Sequence, residues 1–316
     1  MATVKELSQK QDIFCSGHRA CAGCAPAITM RQVTLAADTN LVTGLSTGCM
    51  EVVSTIYPFT AWRNSFIHNA FENVAATISG VEAAYRVLKR KGKLDAEYRF
   101  IAMGGDGGTY DIGLQSLSGA MERGHRMLYL CYDNQGYMNT GIQRSSSTPY
   151  GAATSTTPAG VKIPGKQNFQ KNLTEILVGH EIPYVAQASI GYYRDLLKKV
   201  EKALSIDGPT FINVLASCHR GWRINPADSL KYSKLAVETC LWPLFEVEDG
   251  DYKLSRKPKE KLPIEDWLKG QGRFSHMFKP ENADMIKNFQ AYVDKKWDRL
   301  LKRVGDSEKE TKQAVK

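Results

Sequence analysis

YRFIAMGGDGGTYDIG, residues 98–113, reads as a buried strand that runs straight into Gly-Asp-Gly. An apolar run of this length ending in glycine and a carboxylate suits a parallel α/β sheet, whose ligands bind beyond the carboxyl ends of the strands. Asp106 then stands at that edge. The flanking Gly105, Gly107 and Gly108 let a backbone come close to a diphosphate. A helix is expected over 110–123, with free N–H groups and the positive end of its dipole turned toward those phosphates.

By itself Gly-Asp-Gly is an ordinary turn sequence. The next apolar run, RMLYLCYD at 126–133, gives it weight, because it ends at Asn134, 28 residues after Asp106. Mg²⁺ prefers oxygen ligands in octahedral array and commonly bridges phosphates to one or two protein carboxylates. Asp106 supplies a carboxylate, Asn134 an amide oxygen, and the Gly136 carbonyl is a natural third ligand.

Outward from this pair the chain alternates strand and helix. LVTGLS reads as a short buried strand, 24–37 and 72–92 as helices, and IPYVAQAS, GYYRDLLKKVEKALSI and GPTFINVLAS as strand, helix, strand. That alternation predicts a mostly parallel sheet flanked by helices. The Gly/Ser/Thr/Pro stretch at about 139–168 has no periodicity, and a loop that long inside a compact domain is usually functional. From 246 proline and lysine enrich, and a charged helical pattern follows at 281–303. The expected organisation is a domain over 10–245 and a C-terminal helical arm over 246–316 that packs on a neighbour, with its last ten residues frayed.

Seven cysteines, an odd number, argue against a disulfide framework. Cys21 and Cys24 form a CxxC at a helix start, Cys49 follows a strand and a glycine, and Cys218 follows another strand. All can meet at one sheet edge. An iron–sulfur cluster, a structural zinc ion and a redox thiol pair each suit such a set. Cys131 lies inside an apolar strand and reads as core. Cys240 reads as ordinary, and Cys15 as ordinary or as a substitute ligand.

The chain has 316 residues, 42% of them apolar, with a formal charge of +9. The polar start, MATVKELSQK, lacks the apolar segment of a signal peptide, and no apolar stretch is long enough to cross a bilayer. A cytoplasmic protein that binds neither membrane nor nucleic acid is expected. The positive charge reads as a solvated surface, with docking of an acidic electron carrier as a second use.

The motifs GHRACAGCAPAI (17–28), STGCMEVV (46–53), GGDGGTYDIG (104–113), YDNQGYMNTGIQRSSSTP (132–149) and ASCHRGW (216–222), taken together, resemble the β subunit of pyruvate:ferredoxin oxidoreductase (pyruvate synthase), a 2-oxoacid:ferredoxin oxidoreductase. The resemblance spans about residues 10–280. It implies a thiamine-diphosphate-binding fold of the pyrophosphate-binding type. It implies a [4Fe-4S] cluster on Cys21, Cys24, Cys49 and Cys218, and Mg²⁺ on Asp106, Asn134 and the Gly136 carbonyl. Asn139 matches a residue that reaches the substrate. Relatives often carry Thr where Asn134 stands, and both offer an oxygen. The implied reaction is reversible oxidative decarboxylation of pyruvate with coenzyme A to acetyl-CoA and CO₂, with electrons leaving through the cluster to ferredoxin. Oxalate or another 2-oxo acid is the alternative substrate, and a zinc-stabilised non-catalytic subunit the alternative class.

Two parts implied by the resemblance are missing from the sequence. There is no ferredoxin-type CxxCxxCxxxCP run, and no second copy of the fold to supply the glutamate that activates thiamine. The chain is therefore expected to work only with α, γ and δ partner subunits. His68 reads as a satisfied structural histidine, His18 and Arg19 as contacts around the cluster or a partner surface, and Glu72 as a charge at a helix start.

Overall fold

The computed structural model describes residues 4–37 and 40–314. Its centre is an eight-stranded sheet in the order β2-β1-β3-β4-β6-β5-β7-β8. The strands are β1 (Leu41–Ser46), β2 (Ser65–Asn69), β3 (Arg99–Gly105), β4 (Leu128–Asp133), β5 (Tyr184–Ser189), β6 (Thr210–Leu215), β7 (Phe245–Glu248) and β8 (Asp251–Leu254). The first six run parallel, and β7 and β8 add an antiparallel edge.

The parallel strands are apolar almost throughout because helices cover both faces. Successive side chains alternate sides. Ala102, Tyr129, Cys131 and Phe211 enter one core, and Ile101, Met103, Leu130 and Ile212 enter the other. The helix Ala25–Ala36 begins directly after Cys24 with Pro26 in its first turn, where a missing N–H costs nothing. The helix Val74–Arg90 ends on Lys89 and Arg90, which suit the negative end of its dipole. The helix expected over 110–123 divides: Gly107–Ile112 form a single wide π turn and Leu114–Glu122 a regular helix.

Much of the chain beyond 246 lies in the first core. Trp267, Phe274, Met277, Phe289, Val293 and Trp297 are all buried there. The last helix runs Ala283–Ala314, past the apolar pattern that ends at 303, so the frayed end expected there is helical up to Ala314, and 315–316 lie outside the described residues. Among the described residues no helix is long and apolar enough to cross a membrane.

Strand order sets the site. β1 leads outward to β2, whereas β3 leads the other way to β4, so the chain reverses direction between β1 and β3. In such sheets the crevice at the carboxyl edge beside that reversal holds the ligand. Asp106 follows β3, Asn134 follows β4, Cys49 follows β1 and Cys218 follows β6.

Candidate functional site

Asp106 is fully buried. Its Oδ1 accepts the Asn134 backbone N–H at 3.2 Å, and its Oδ2 accepts the Ser145 hydroxyl. One terminal atom of the Asn134 side-chain amide sits 2.9 Å from Asp106 Oδ1 and 2.8 Å from the Gly136 carbonyl oxygen. With nitrogen there, the amide donates to both. With oxygen there, three acceptors converge with no donor among them. Which atom occupies the position follows from its partners. Neighbouring ligands of octahedral Mg²⁺ stand about 2.9 Å apart, given its 2.0–2.1 Å bonds. Both separations at the Asn134 amide match that spacing, so these groups could hold such an ion with the amide oxygen inward.

Burial, and then the nearby Asp133, push the Asp106 carboxyl well above its ordinary range, against hydrogen bonds from Ser145 and Asn134. Asp133 is also buried and rises to about 6, chiefly through burial, against hydrogen bonds from Ser147, Tyr110 and the Gln135 amide. Its oxygens accept Ser147 Oγ at 2.5 Å, Tyr110 OH at 2.7 Å and Gln135 N–H at 2.9 Å. Asp133 is thus occupied by protein donors, whereas Asp106 keeps one oxygen turned to the Asn134 side-chain amide.

The long loop is held by four consecutive hydroxyls. Ser145 reaches Asp106, Ser146 reaches Asp111, Ser147 reaches Asp133, and Thr148 donates to the Gln135 carbonyl at 2.9 Å. Lys166 donates to the carbonyls of Ser146 and Thr148 from behind. The sequence placed these serines in a motif without giving them a task. Their signal was the run of four small hydroxyls inside an otherwise aperiodic loop.

The glycines have separate reasons. A Cβ on Gly107 would stand 2.4 Å from the Tyr137 ring, whose hydroxyl donates to the Gly107 carbonyl at 2.9 Å. A Cβ on Gly108 would stand 3.0 Å from the Phe71 carbonyl. Ser46 Oγ, buried and without a hydrogen-bond partner, lies 3.2 Å from that same point. The narrow cleft between these elements is lined by Gly48, Cys49, Gly105, Gly107, Gly108 and Asn134, with Asn139 exposed at its mouth.

The four cysteines lie on the same side. Cys21 is exposed, and Cys24, Cys49 and Cys218 are half-buried. Burial first, and then the neighbouring cysteines, raise Cys24 to about 11 and Cys49 to about 12. Cys218 also rises through burial, against the Gly221 and Arg220 amides. The thiols therefore lie within electrostatic reach of one another. Among the described residues no three His, Cys, Asp or Glu side chains are drawn as tightly together as ligands of a single ion. Cys15 opens onto the same surface hollow as Cys21 and Cys24, but its thiol points to the carbonyls of Asp12 and Ile13.

The remaining candidates are placed as follows. His68 pairs with the buried Glu51, and His18 stacks on Phe14 at 4.9 Å. The Arg19 amide bonds the Val53 carbonyl at 2.8 Å, and Glu72 is exposed just before a helix.

One residue was missed altogether. Arg273 is 2% exposed, and among the described residues no carboxylate forms an ion pair with it. Its guanidinium lies 4.1 Å over the Trp222 ring and donates to Gln135 Oε1 at 2.7 Å and Gln271 Oε1 at 3.0 Å. Trp222 in turn donates to the Asn134 carbonyl at 2.9 Å. Burial pushes the Arg273 guanidinium well below its ordinary value, and Cys218, Asp133 and Asp106 oppose that shift. It is a buried cation between both parts of the site.

Fold and site together define the class, a thiamine pyrophosphate-binding α/β domain. The family model of the C-terminal thiamine pyrophosphate-binding domain of thiamine pyrophosphate enzymes matches residues 46–214. The pyruvate synthase subunit PorB of Thermotoga maritima is 53% identical over 303 residues, 94% of each chain. That of Methanocaldococcus jannaschii is 50% identical over 289 residues, 91% of this chain and 96% of the other. The chain belongs to this family of pyruvate synthase PorB subunits. The ketoisovalerate oxidoreductase subunit VorB of Pyrococcus abyssi is 43% identical over 92% of this chain and 93% of its own. In fold, the chain is similar to a solved 2-oxoglutarate:ferredoxin oxidoreductase from Magnetococcus marinus, with a TM-score of 0.56 at 16% identity over 72% of this chain and 81% of that one.

Proposed function

We propose that this chain is the thiamine-diphosphate-binding subunit of a cytoplasmic 2-oxoacid oxidoreductase that converts pyruvate and coenzyme A to acetyl-CoA and CO₂ and passes electrons to ferredoxin. The observation that carries the reading is the convergence of Asp106, Asn134 and the Gly136 carbonyl at the sheet edge. Those three would hold Mg²⁺, and the backbone at Gly105, Gly107 and Gly108 would receive the diphosphate. Ser46, with its unsatisfied hydroxyl, suits the same anion. Cys21, Cys24, Cys49 and Cys218 would hold a [4Fe-4S] cluster, and Asn139 at the cleft mouth would orient substrate.

Thiamine, when bound, supplies the carbanion chemistry that a protein side chain cannot. This chain's own contribution is to hold the diphosphate end still, exclude water from the buried Asp106 corner and keep four sulfurs beside it. The site opens along the cleft mouth, where partner subunits of α, γ and δ type would close it, and residues 246–316 would contribute to those contacts. Similarity to a ketoisovalerate oxidoreductase subunit favours 2-oxoisovalerate as the second substrate to consider.

The test is anaerobic reduction of a viologen dye by the native complex containing this chain, with a panel of 2-oxo acids including oxalate, with and without coenzyme A. Coenzyme A-dependent reduction with pyruvate is expected. A preference for another acid changes the substrate and keeps the chemistry. No reduction, together with stoichiometric zinc and no iron, replaces the reading with a zinc-stabilised scaffold.

A further inference from the structure

Tyr132, the last residue but one of β4, is 1% exposed, and its buried hydroxyl has no hydrogen-bond partner among the described residues. Leaving such a group unsatisfied is costly, so a native protein that keeps one usually has a use for it. Its place is well defined. The hydroxyl oxygen lies 2.9 Å from the point where a Cβ on Gly48 would stand and 3.3 Å from that point on Gly105. Gly48 precedes Cys49, and Gly105 precedes Asp106. The hydroxyl therefore sits between the cysteine corner and the diphosphate corner. The Met50 amide approaches the hydroxyl as a donor, which leaves the O–H itself without an acceptor among the described residues, and Cys49 is an electrostatic neighbour.

The sulfurs show the complementary gap. Cys218 Sγ accepts the Gly221 N–H at 3.4 Å, and Cys24 is met by the Ala27 amide. Cys21 is open to water. Cys49 is half-buried, lies near Asp106 and takes no hydrogen bond among the described residues. An unsatisfied O–H donor thus shares the cleft with the half-buried sulfur of the set that no amide meets.

We propose that Tyr132 donates its hydroxyl hydrogen bond to the Cys49 sulfur once that sulfur ligates the cluster, and so sets the cluster's electron affinity on the side facing the diphosphate. The inference rests on the cluster reading given above. A donor stabilises negative charge on a thiolate sulfur, and reduction adds such charge, so the bond raises the reduction potential. Tyr132 is a positioning residue here: it acts through Cys49 and touches no reacting atom.

The Y132F variant removes a hydroxyl whose O–H finds no acceptor in the chain as folded, and leaves the ring in its core. The native complex and its Y132F form are prepared anaerobically, and iron, inorganic sulfide and Tm are measured first. The cluster concerned is the one whose EPR signal is absent from a C49S complex. Its potential is then followed by redox titration, and exchangeable protons coupled to it by pulsed EPR in H₂O and D₂O.

The expected result is unchanged iron, sulfide and Tm, a shift of the potential to a more negative value, and loss of one exchangeable proton coupling. Y129F, whose lost hydroxyl meets Thr109 on the other face of the sheet, should leave both readouts in place. An unchanged potential with an unchanged coupling overturns the inference and leaves the cluster reading standing. Loss of iron from Y132F at unchanged Tm also overturns it, because a donor that only tunes the cluster is not needed to retain it. Absence of iron from the native complex removes the cluster reading and this inference together, and the first assay shows it.

Discussion

The two corners of the sheet edge are built by different means. The oxygen corner is finished within the chain: Asp106, Asp133 and Asp111 are each gripped by a hydroxyl from one loop, and the Asn134 amide already touches its two neighbours. The sulfur corner is loose. Its cysteines come from three separate segments, one thiol is exposed, and among the described residues they are not drawn together as ligands of a single ion would be. Hard oxygen ligands can be preorganised by hydrogen bonds. Thiolates have few strong hydrogen-bond partners, and a cluster orders them by binding them. The oxygen corner should therefore tolerate loss of its ligand, and the sulfur corner should not.

The largest effect expected is from D106N. Thiamine diphosphate binding that depends on Mg²⁺, measured by calorimetry on the complex, should fall by more than the ~100-fold that supporting partners of a metal site reach. Iron content should stay the same. The Tm without Mg²⁺ should hold or rise, because the change removes a buried carboxylate held near Asp133. A lower Tm would show that the oxygen corner is not self-supporting.

C218S is the converse. Iron and sulfide should be lost while thiamine diphosphate binding changes by only a small factor. Equal loss of both would merge the two corners into one cooperative unit.

Arg273 is where the corners meet, so R273M should injure both. It strands the Gln135 and Gln271 carbonyl oxygens and removes the cation stacked on Trp222, whose indole N–H holds the Asn134 carbonyl. A loss of about 2 kcal/mol or more in stability is expected, read as a lower Tm. Diphosphate binding and iron content should both fall. A variant that lowered only one would assign Arg273 to that corner alone.

The contrast also explains what could be read from the sequence. β1, β3, β4, β5 and β6 announced themselves as apolar runs because parallel strands are buried on both faces. Asp106, Asn134 and the cysteines were visible because strand ends in such a sheet share one edge. β2 escaped, since SFIHN is short and half-exposed at a sheet edge. Ser145 and Arg273 escaped for another reason. Ser145 acts on Asp106 from 39 residues away, and Arg273 on Gln135 from 138. Periodicity shows which face a residue presents but never names its partner. In a segment dense in Lys and Glu, a buried arginine looks the same as a solvated one.

S145A tests the support of the oxygen corner by one step. It removes the hydrogen bond to Asp106 Oδ2, together with the acceptor of the Ser147 N–H at 3.1 Å, and leaves the Asn134 amide on Oδ1 in place. Mg²⁺ affinity should drop about 10-fold, the lower end for loss of a supporting partner, with no change in iron. A drop as large as that of D106N would mean that the loop holds the corner through this one contact.

The smallest effect is expected from C15S. Cys15 shares the hollow with Cys21 and Cys24, so proximity alone would admit it to the set. Its thiol, however, faces the Asp12 and Ile13 carbonyls at 3.6 and 3.8 Å, and a serine hydroxyl makes the same contacts more strongly. It is absent from the groups that push up Cys24, Cys49 and Cys218. Iron and sulfide per complex should be unchanged, as should the potential. If C15S loses iron, the sulfur corner recruits a fifth cysteine as it closes, and its looseness extends into the chain before the CxxC.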